Sequence, residues 1–186
     1  MNTDWRKIIS VLKSGGVVTH PTDTCYGLAC DIFNEKAVYK LYKLKQMPKD
    51  KPLSIIVGSL DQAREYGIFN EIALELAGRG WPGDLTLVLN RTDKVPVYLN
   101  RGVDTIGIRV PGDKFTLEML KMWGGPLSTT SANLSGGANP YSSGEALRGD
   151  YVVEVGHIPV KKPSTIVRVV GDKVEILRQG ELEISR

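Results

Sequence analysis

The chain is short of the residues on which much enzyme chemistry depends. Only two cysteines, Cys25 and Cys30, and two histidines, His20 and His157, occur among its 186 residues. Two cysteines so close in sequence make no disulfide framework, and zinc would need two further ligands that the chain barely has. Small buried thiols are the expected state of both. The scarcity of histidine counts against imidazole acid–base chemistry, and neither histidine lies in a nucleophile motif, so nothing offers a Ser–His–Asp triad. Long apolar runs are missing as well, which excludes a helical membrane span. The opening residues, Met1-Asn2-Thr3-Asp4-Trp5-Arg6, lack the charged and then apolar pattern of an export signal. A cytoplasmic location is the expectation.

What remains is an ordinary globular balance, with 41% hydrophobic and 24% charged residues and a formal net charge of +3. That excludes a disordered or fibrous chain, and it is too mildly basic to announce nucleic-acid binding. The length fits one domain over residues 1–186 on the usual scale of roughly 100–200 residues per domain. A core of that size buries about 70% of the unfolded surface without a staple.

Periodicity predicts alternating helices and strands. Trp5, Ile8, Ile9 and Leu12 share one helical face before the Gly15-Gly16 stop. Residues 16–20 read as a buried strand, 21–28 as a loop, and 29–32 as a short strand. Asn34, Ser59, Asn70 and Asp113 are each placed to cap a helix. Strands are expected at 53–57, 85–89, 105–110, 127–130 and 152–155, with a short helix near 143–148. Residues 165–170 and 173–177 form a hairpin across Gly171-Asp172. The order predicts an α/β domain with a mixed, twisted sheet covered by helices.

Five segments carry candidate chemistry. Pro21-Thr22-Asp23-Thr24-Cys25-Tyr26-Gly27-Leu28 follows a buried strand, where ligands sit in open α/β sheets, although Pro, Thr and Asp also favour plain turns. Lys40, Lys43, Lys45, Lys49 and Lys51 cluster as phosphate ligands would, or as a solvated basic face. In Thr105–Pro111, period two sets Ile106, Ile108 and Val110 towards the core and Thr105, Gly107 and Arg109 away from it. A guanidinium there suits a carboxylate or phosphate, or else a salt bridge to a covering helix. Residues 128–135 hold six hydroxyl or amide side chains beside Gly136-Gly137. They read as a cradle of neutral donors or as a turn cluster, and they are neither a Walker loop nor a dinucleotide fingerprint. Ser164-Thr165 and Arg178 flank the final hairpin.

Taken in order, these segments resemble the YrdC/TsaC family of threonylcarbamoyl-AMP synthases, in its short single-domain form. The resemblance spans nearly the whole chain and includes Lys51-Pro52-Leu53-Ser54, Trp81-Pro82-Gly83-Asp84-Leu85-Thr86 and Ile176-Leu177-Arg178-Gln179-Gly180. It implies a YrdC-like fold with a concave basic groove. The implied reaction joins L-threonine, bicarbonate (or CO2) and ATP into threonylcarbamoyl-AMP and pyrophosphate, with Mg2+ accompanying the triphosphate and no protein metal site. This is the first step of threonylcarbamoyladenosine formation in tRNA, and a separate transferase complex completes it. By resemblance, Thr24, Arg109 and Ser164 contact threonine. Lys45, Lys51, Ser131, Asn133 and Arg178 hold the nucleotide, and Lys45, Arg109, Ser131 and Asn133 form the catalytic set. Weak binding of tRNA or double-stranded RNA is a further implied property.

One departure stands out. The family pattern Lys-x-Arg-Pro reads Lys45-Gln46-Met47-Pro48 here, and Lys49 or Lys51 is expected to make good the missing charge. YciO-like paralogues share the fold and often lack that arginine, but Ser131-Ala132-Asn133 is intact in this chain. The alternatives are such a paralogue, a non-catalytic RNA-binding protein of the same fold, or a carbamoyl-adenylate-forming unit like those in hydrogenase-maturation proteins.

Overall fold

The computed structural model describes residues 3–48 and 50–184. Within them the elements run α1 (Trp5–Lys13), β1 (Val18–His20), β2 (Gly27–Ala29), α2 (Glu35–Leu44), β3 (Ser54–Ile56), α3 (Leu60–Arg64) and α4 (Glu71–Gly80). They continue as β4 (Leu85–Asn90), β5 (Thr105–Arg109), α5 (Lys114–Trp123), β6 (Leu127–Ser131), β7 (Tyr151–Val152), β8 (Thr165–Val170) and β9 (Lys173–Arg178). The strands form one mixed sheet in the order β7-β1-β2-β6-β3-β5-β4-β8-β9. Strands β1 and β7, β3 and β5, and β4 and β8 pair parallel, and the other neighbours pair antiparallel.

Local chemistry starts the helices where the sequence places them. The side chains of Asn34, Ser59, Asn70 and Asp113 each accept the backbone N–H three residues on. Losing such a cap costs about 1 kcal/mol. Helix α1 gives way to Gly15 at φ +78°, a left-handed position suited to glycine.

Alternation along the strands then sorts side chains between two cores. Leu28 and Ile55 join Leu41 of α2, Ile106 and Ile108 on one face. Their neighbours Ala29 and Ile56 join Ile8, Leu12, Met119 and Leu120 under α1 and α5. Helix α4 seals Leu85, Leu87 and Leu89 against Val167. Truncating any of these leucines to alanine costs about 2–5 kcal/mol. Both cysteines are buried free thiols, and burial pushes Cys30 up to about 12. No helix among the described residues is long and apolar enough to cross a membrane.

Three expectations need correction. The short strand lies at Gly27–Ala29, inside the segment read as a loop, because Gly27 pairs with both His20 and Ser131. Asp31 makes only an isolated bridge to Leu127. Residues 143–148 form turns with a bend rather than a helix, closed by Ala146 N–H donating to Ser142 O (3.2 Å). The strand expected at 152–155 is confined to Tyr151–Val152, where β1 provides a partner.

Candidate active site

On the face that α1 and α5 cover, the sheet is left open towards β8 and β9. The result is a cleft of about 330 Å³, at the lower end of the range for small-ligand pockets. Cross-strand register builds its floor. Gly27 lies opposite Ser131, Ser54 opposite Thr129 and Gly107, Thr86 opposite Ile166, and Ile166 opposite Arg178. Glycine at 107 leaves room for the Ser54 hydroxyl, since a Cβ there would stand 2.3 Å from Ser54 Oγ and 3.1 Å from its Cβ and push that side chain aside.

One end of the cleft is organised by Arg109. Its Nη2 donates to Asp23 Oδ1 (2.6 Å) and Asp84 Oδ1 (2.9 Å), and its Nε donates to Gly83 O (2.9 Å). The guanidinium is therefore paired with carboxylates from two loops, not with a covering helix. Asp23 is held in turn by Gly112 N–H at 2.8 Å. Burial, with the neighbouring Asp23 charge, pushes the Asp84 carboxyl above its usual range. The Nη1 hydrogens of Arg109 have no partner among the described residues. Beside this group, Thr22 Oγ1 accepts the N–H groups of Thr24 and Cys25 and lies 3.2 Å from Thr24 Oγ1. That turn fixes where the Thr24 hydroxyl sits.

The other end is organised by Lys45, only 3% exposed at the end of α2. Its ammonium donates to Ser131 O, to Asn133 O (2.8 Å) and more weakly to Asn133 Oδ1 (3.4 Å). Ser131 Oγ also donates to Asn133 Oδ1. Burial, then repulsion from Lys51, pulls the Lys45 ammonium down to about 8. Met47 lines the same wall, 7% exposed and packed into the core. Lys49, one of the two lysines expected to compensate, lies outside the described residues.

The eight side chains given roles by the resemblance, Thr24, Lys45, Lys51, Arg109, Ser131, Asn133, Ser164 and Arg178, line this single cleft, whereas Lys40 and Lys43 of the lysine cluster do not, Lys40 pairing instead with Asp150. Arg178 is seated on Ser164, where Nη2 donates to Ser164 O (2.9 Å) and lies 3.2 Å from Ser164 Oγ. Sequence reasoning did not find Asp84, Thr86 or the partnership of Asp23 with Arg109. Thr86 Oγ1 lies 3.0 Å from Ser164 Oγ. The available signal was the Trp81–Thr86 segment, which ends on both residues. No group of three or more His, Cys, Asp or Glu among the described residues forms a metal cage.

An α/β sheet whose open face gathers lysine, arginine and hydroxyls defines a protein that holds anionic small molecules by charge and hydrogen bonds. The Sua5_yciO_yrdC family model, described as "Telomere recombination", matches residues 10–180, and the chain belongs to that family. It is 34% identical to a Methanocaldococcus jannaschii protein named "Putative threonylcarbamoyl-AMP synthase", over 97% of this chain and 89% of that one. Among solved structures it is similar to Pyrococcus abyssi Sua5 complexed with L-threonine, with a TM-score of 0.86 and 30% identity. That match covers 97% of this chain and 56% of the other, so the chain spans about half of that longer relative. Escherichia coli YciO matches with a TM-score of 0.85 and 26% identity, over 96% of this chain and 91% of its own.

Proposed function

We propose that this chain is a threonylcarbamoyl-AMP synthase, a nucleotidyltransferase that converts L-threonine, bicarbonate and ATP to threonylcarbamoyl-AMP, pyrophosphate and water. The observation that carries this reading is that the Arg109 group with Thr24 and the Lys45, Ser131 and Asn133 group line one cleft, with Ser164 and Arg178 along the same lining. The chemistry requires that adjacency. The threonine amine takes up CO2 as a carbamate, and a carbamate oxygen forms a bond to the α-phosphorus while the bond to the β-phosphate oxygen breaks. Such a transfer depends on positioning and charge stabilisation rather than on a protein nucleophile.

In this reading the free Nη1 hydrogens of Arg109 receive the threonine carboxylate, with the Thr24 and Ser164 hydroxyls beside it. Lys45, Ser131, Asn133 and Arg178 hold the nucleotide. Asp23, the one carboxylate that lines the cleft among the described residues, is already engaged by Arg109, so Mg2+ enters in this reading as part of the nucleotide substrate. The product passes to a transferase that modifies tRNA, and the cytoplasm is where that occurs.

The test is pyrophosphate release from ATP and bicarbonate with and without L-threonine, with the adenylate identified by mass spectrometry. Threonine-dependent release of that adenylate is the expected result. A second reading, a YciO-like paralogue, draws on the uncharged Met47 in the phosphate wall. ATP binding without threonine-dependent turnover selects it. Salt-sensitive binding of double-stranded RNA or tRNA, again without turnover, selects a non-catalytic RNA-binding role.

A further inference from the structure

Asp84 immediately precedes β4 and is bonded to the surroundings of two side chains to which the reading above assigns the amino acid, Arg109 and Ser164. Its Oδ1 accepts Arg109 Nη2 (2.9 Å), and its backbone O accepts Thr165 N–H (2.9 Å). Thr165 directly follows Ser164, and the parallel pairing of β4 with β8 sets Leu85 opposite Thr165. The Ser164 hydroxyl is placed from the same strand, 3.0 Å from Thr86 Oγ1.

The grip on Arg109 has two prongs. Gly83 O accepts Nε and Asp84 Oδ1 accepts Nη2, so consecutive residues take the two nitrogens of one guanidinium edge. Two acceptors on one edge fix the plane of the group as well as its position, which a single contact does not. Asp23 adds one bond to Nη2 and itself lines the cleft. Asp84 is not part of the lining, so its reach to a ligand runs through Arg109. By charge alone, a second carboxylate here works against an anionic ligand of Arg109. What it offers in return is orientation.

We propose that Asp84 is a positioning residue for the amino-acid substrate: with Gly83 it holds the plane of Arg109 so that Nη1 presents its hydrogens to the substrate carboxylate, at the spacing from Ser164 that β4 and β8 impose. The proposal rests on the amino-acid part of the reading above.

The experiment compares wild type, Asp84→Asn and Asp84→Ala by the KM of L-threonine and of ATP in adenylate formation, with calorimetric binding of L-threonine alongside. Orientation and charge predict opposite signs. Both substitutions remove a negative charge near the carboxylate site, so a role through charge alone lowers the threonine KM in each variant. A positioning role raises it, by roughly 10–100-fold in Asp84→Ala, which lacks the acceptor, and by roughly 2–10-fold in Asp84→Asn, which keeps a neutral one. The KM of ATP and the kcat at saturating threonine are expected to change little, a split that general loosening of the fold does not produce. Urea midpoints establish that each variant is folded, and if Asp84→Ala is not, the sign in Asp84→Asn decides. A threonine KM that is unchanged or lower in Asp84→Asn overturns the proposal and leaves the synthase reading in place, and so does a parallel rise in both KM values. A wild type that binds L-threonine without forming the adenylate removes the synthase reading, and the calorimetric affinities then decide the role of Asp84 by the same signs. A wild type that does not bind L-threonine, with or without ATP, overturns both.

Discussion

At one end of the cleft Arg109 lies between two carboxylates, and at the other Lys45 lies among carbonyl and amide oxygens. Both cations are nearly buried, yet their environments oppose each other. Arg109 has two carboxylate partners, and burial with the Asp23 charge raises the Asp84 carboxyl at that end. Lys45 has only neutral acceptors, so burial erodes its charge and it gains most from an incoming anion. One wall is thus a closed electrostatic unit that presents directed hydrogen bonds, and the other is an incomplete unit that an anion completes. In the proposed reading, that difference is what keeps an amino acid and a polyphosphate in separate places within one cleft.

The hardest way to break that contrast is to remove the guanidinium. Arg109→Met leaves Asp23 and Asp84 facing each other with side chains only 12% and 19% exposed. Breaking such an assembly from one side costs about 3–5 kcal/mol, seen as a lower urea midpoint at pH 7. Asp84→Asn keeps the Asp23 pair and is expected to cost about 1–2 kcal/mol. If Arg109→Met is no worse than Asp84→Asn, the carboxylates are not what the guanidinium is needed for.

How far the sequence disclosed this arrangement depended on whether a signal was local. Caps at Asn34, Ser59, Asn70 and Asp113 involve residues three positions apart, so they were legible. The side-chain types of the cleft were legible too, because clustered hydroxyls, lysines and a strand arginine stand out against a chain poor in histidine. Partnerships were not. Arg109 meets Asp23 across 86 positions and Asp84 across 25. Only the folded sheet chooses those two among the chain's carboxylates. Strand β2 was hidden for the same reason, since three residues hold no periodicity and are strand only through their neighbours. The 143–148 segment erred the other way, because local propensity had no helical packing to reinforce it.

The lysine wall makes an opposite, basic-side prediction. Lys45 is charged below a value of about 8 and neutral above it. Threonine-dependent turnover, limited to enzyme shown to be folded, is therefore expected to fall as pH rises through that value. Lys51→Met removes one cause of the depression, so the falling limb moves upward by a fraction of a unit, the burial cause remaining. Lys45→Met is expected to lower kcat by about 10²–10³-fold, the usual effect of removing one transition-state donor. A limb that stays fixed in Lys51→Met shows that the two ammoniums do not sense one another.

The smallest expected effect sharpens the contrast from the acid side. His20 lies behind the Thr22–Thr24 turn, fully buried, with Nδ1 2.9 Å from Pro21 O and Nε2 without a partner. Burial lowers it to about 4 from an ordinary value of 6.5. The unfolded chain therefore binds a proton that the folded chain refuses between those two values. Stability is whole above the higher value, falls as the pH drops through the window, and levels off below it. The ceiling on that loss is about 3 kcal/mol. His20→Phe keeps a ring against Phe115, whose centroid lies 6.3 Å away, and removes the titration. Its urea midpoint is expected to vary less than the wild type's between pH 6.5 and 4, at the expense of about 1 kcal/mol at neutral pH for the lost bond to Pro21 O. A variant with the wild-type slope would assign the acid sensitivity of the Arg109 end to its carboxylates. A flattened slope assigns it to the one imidazole that the fold has sealed away from water.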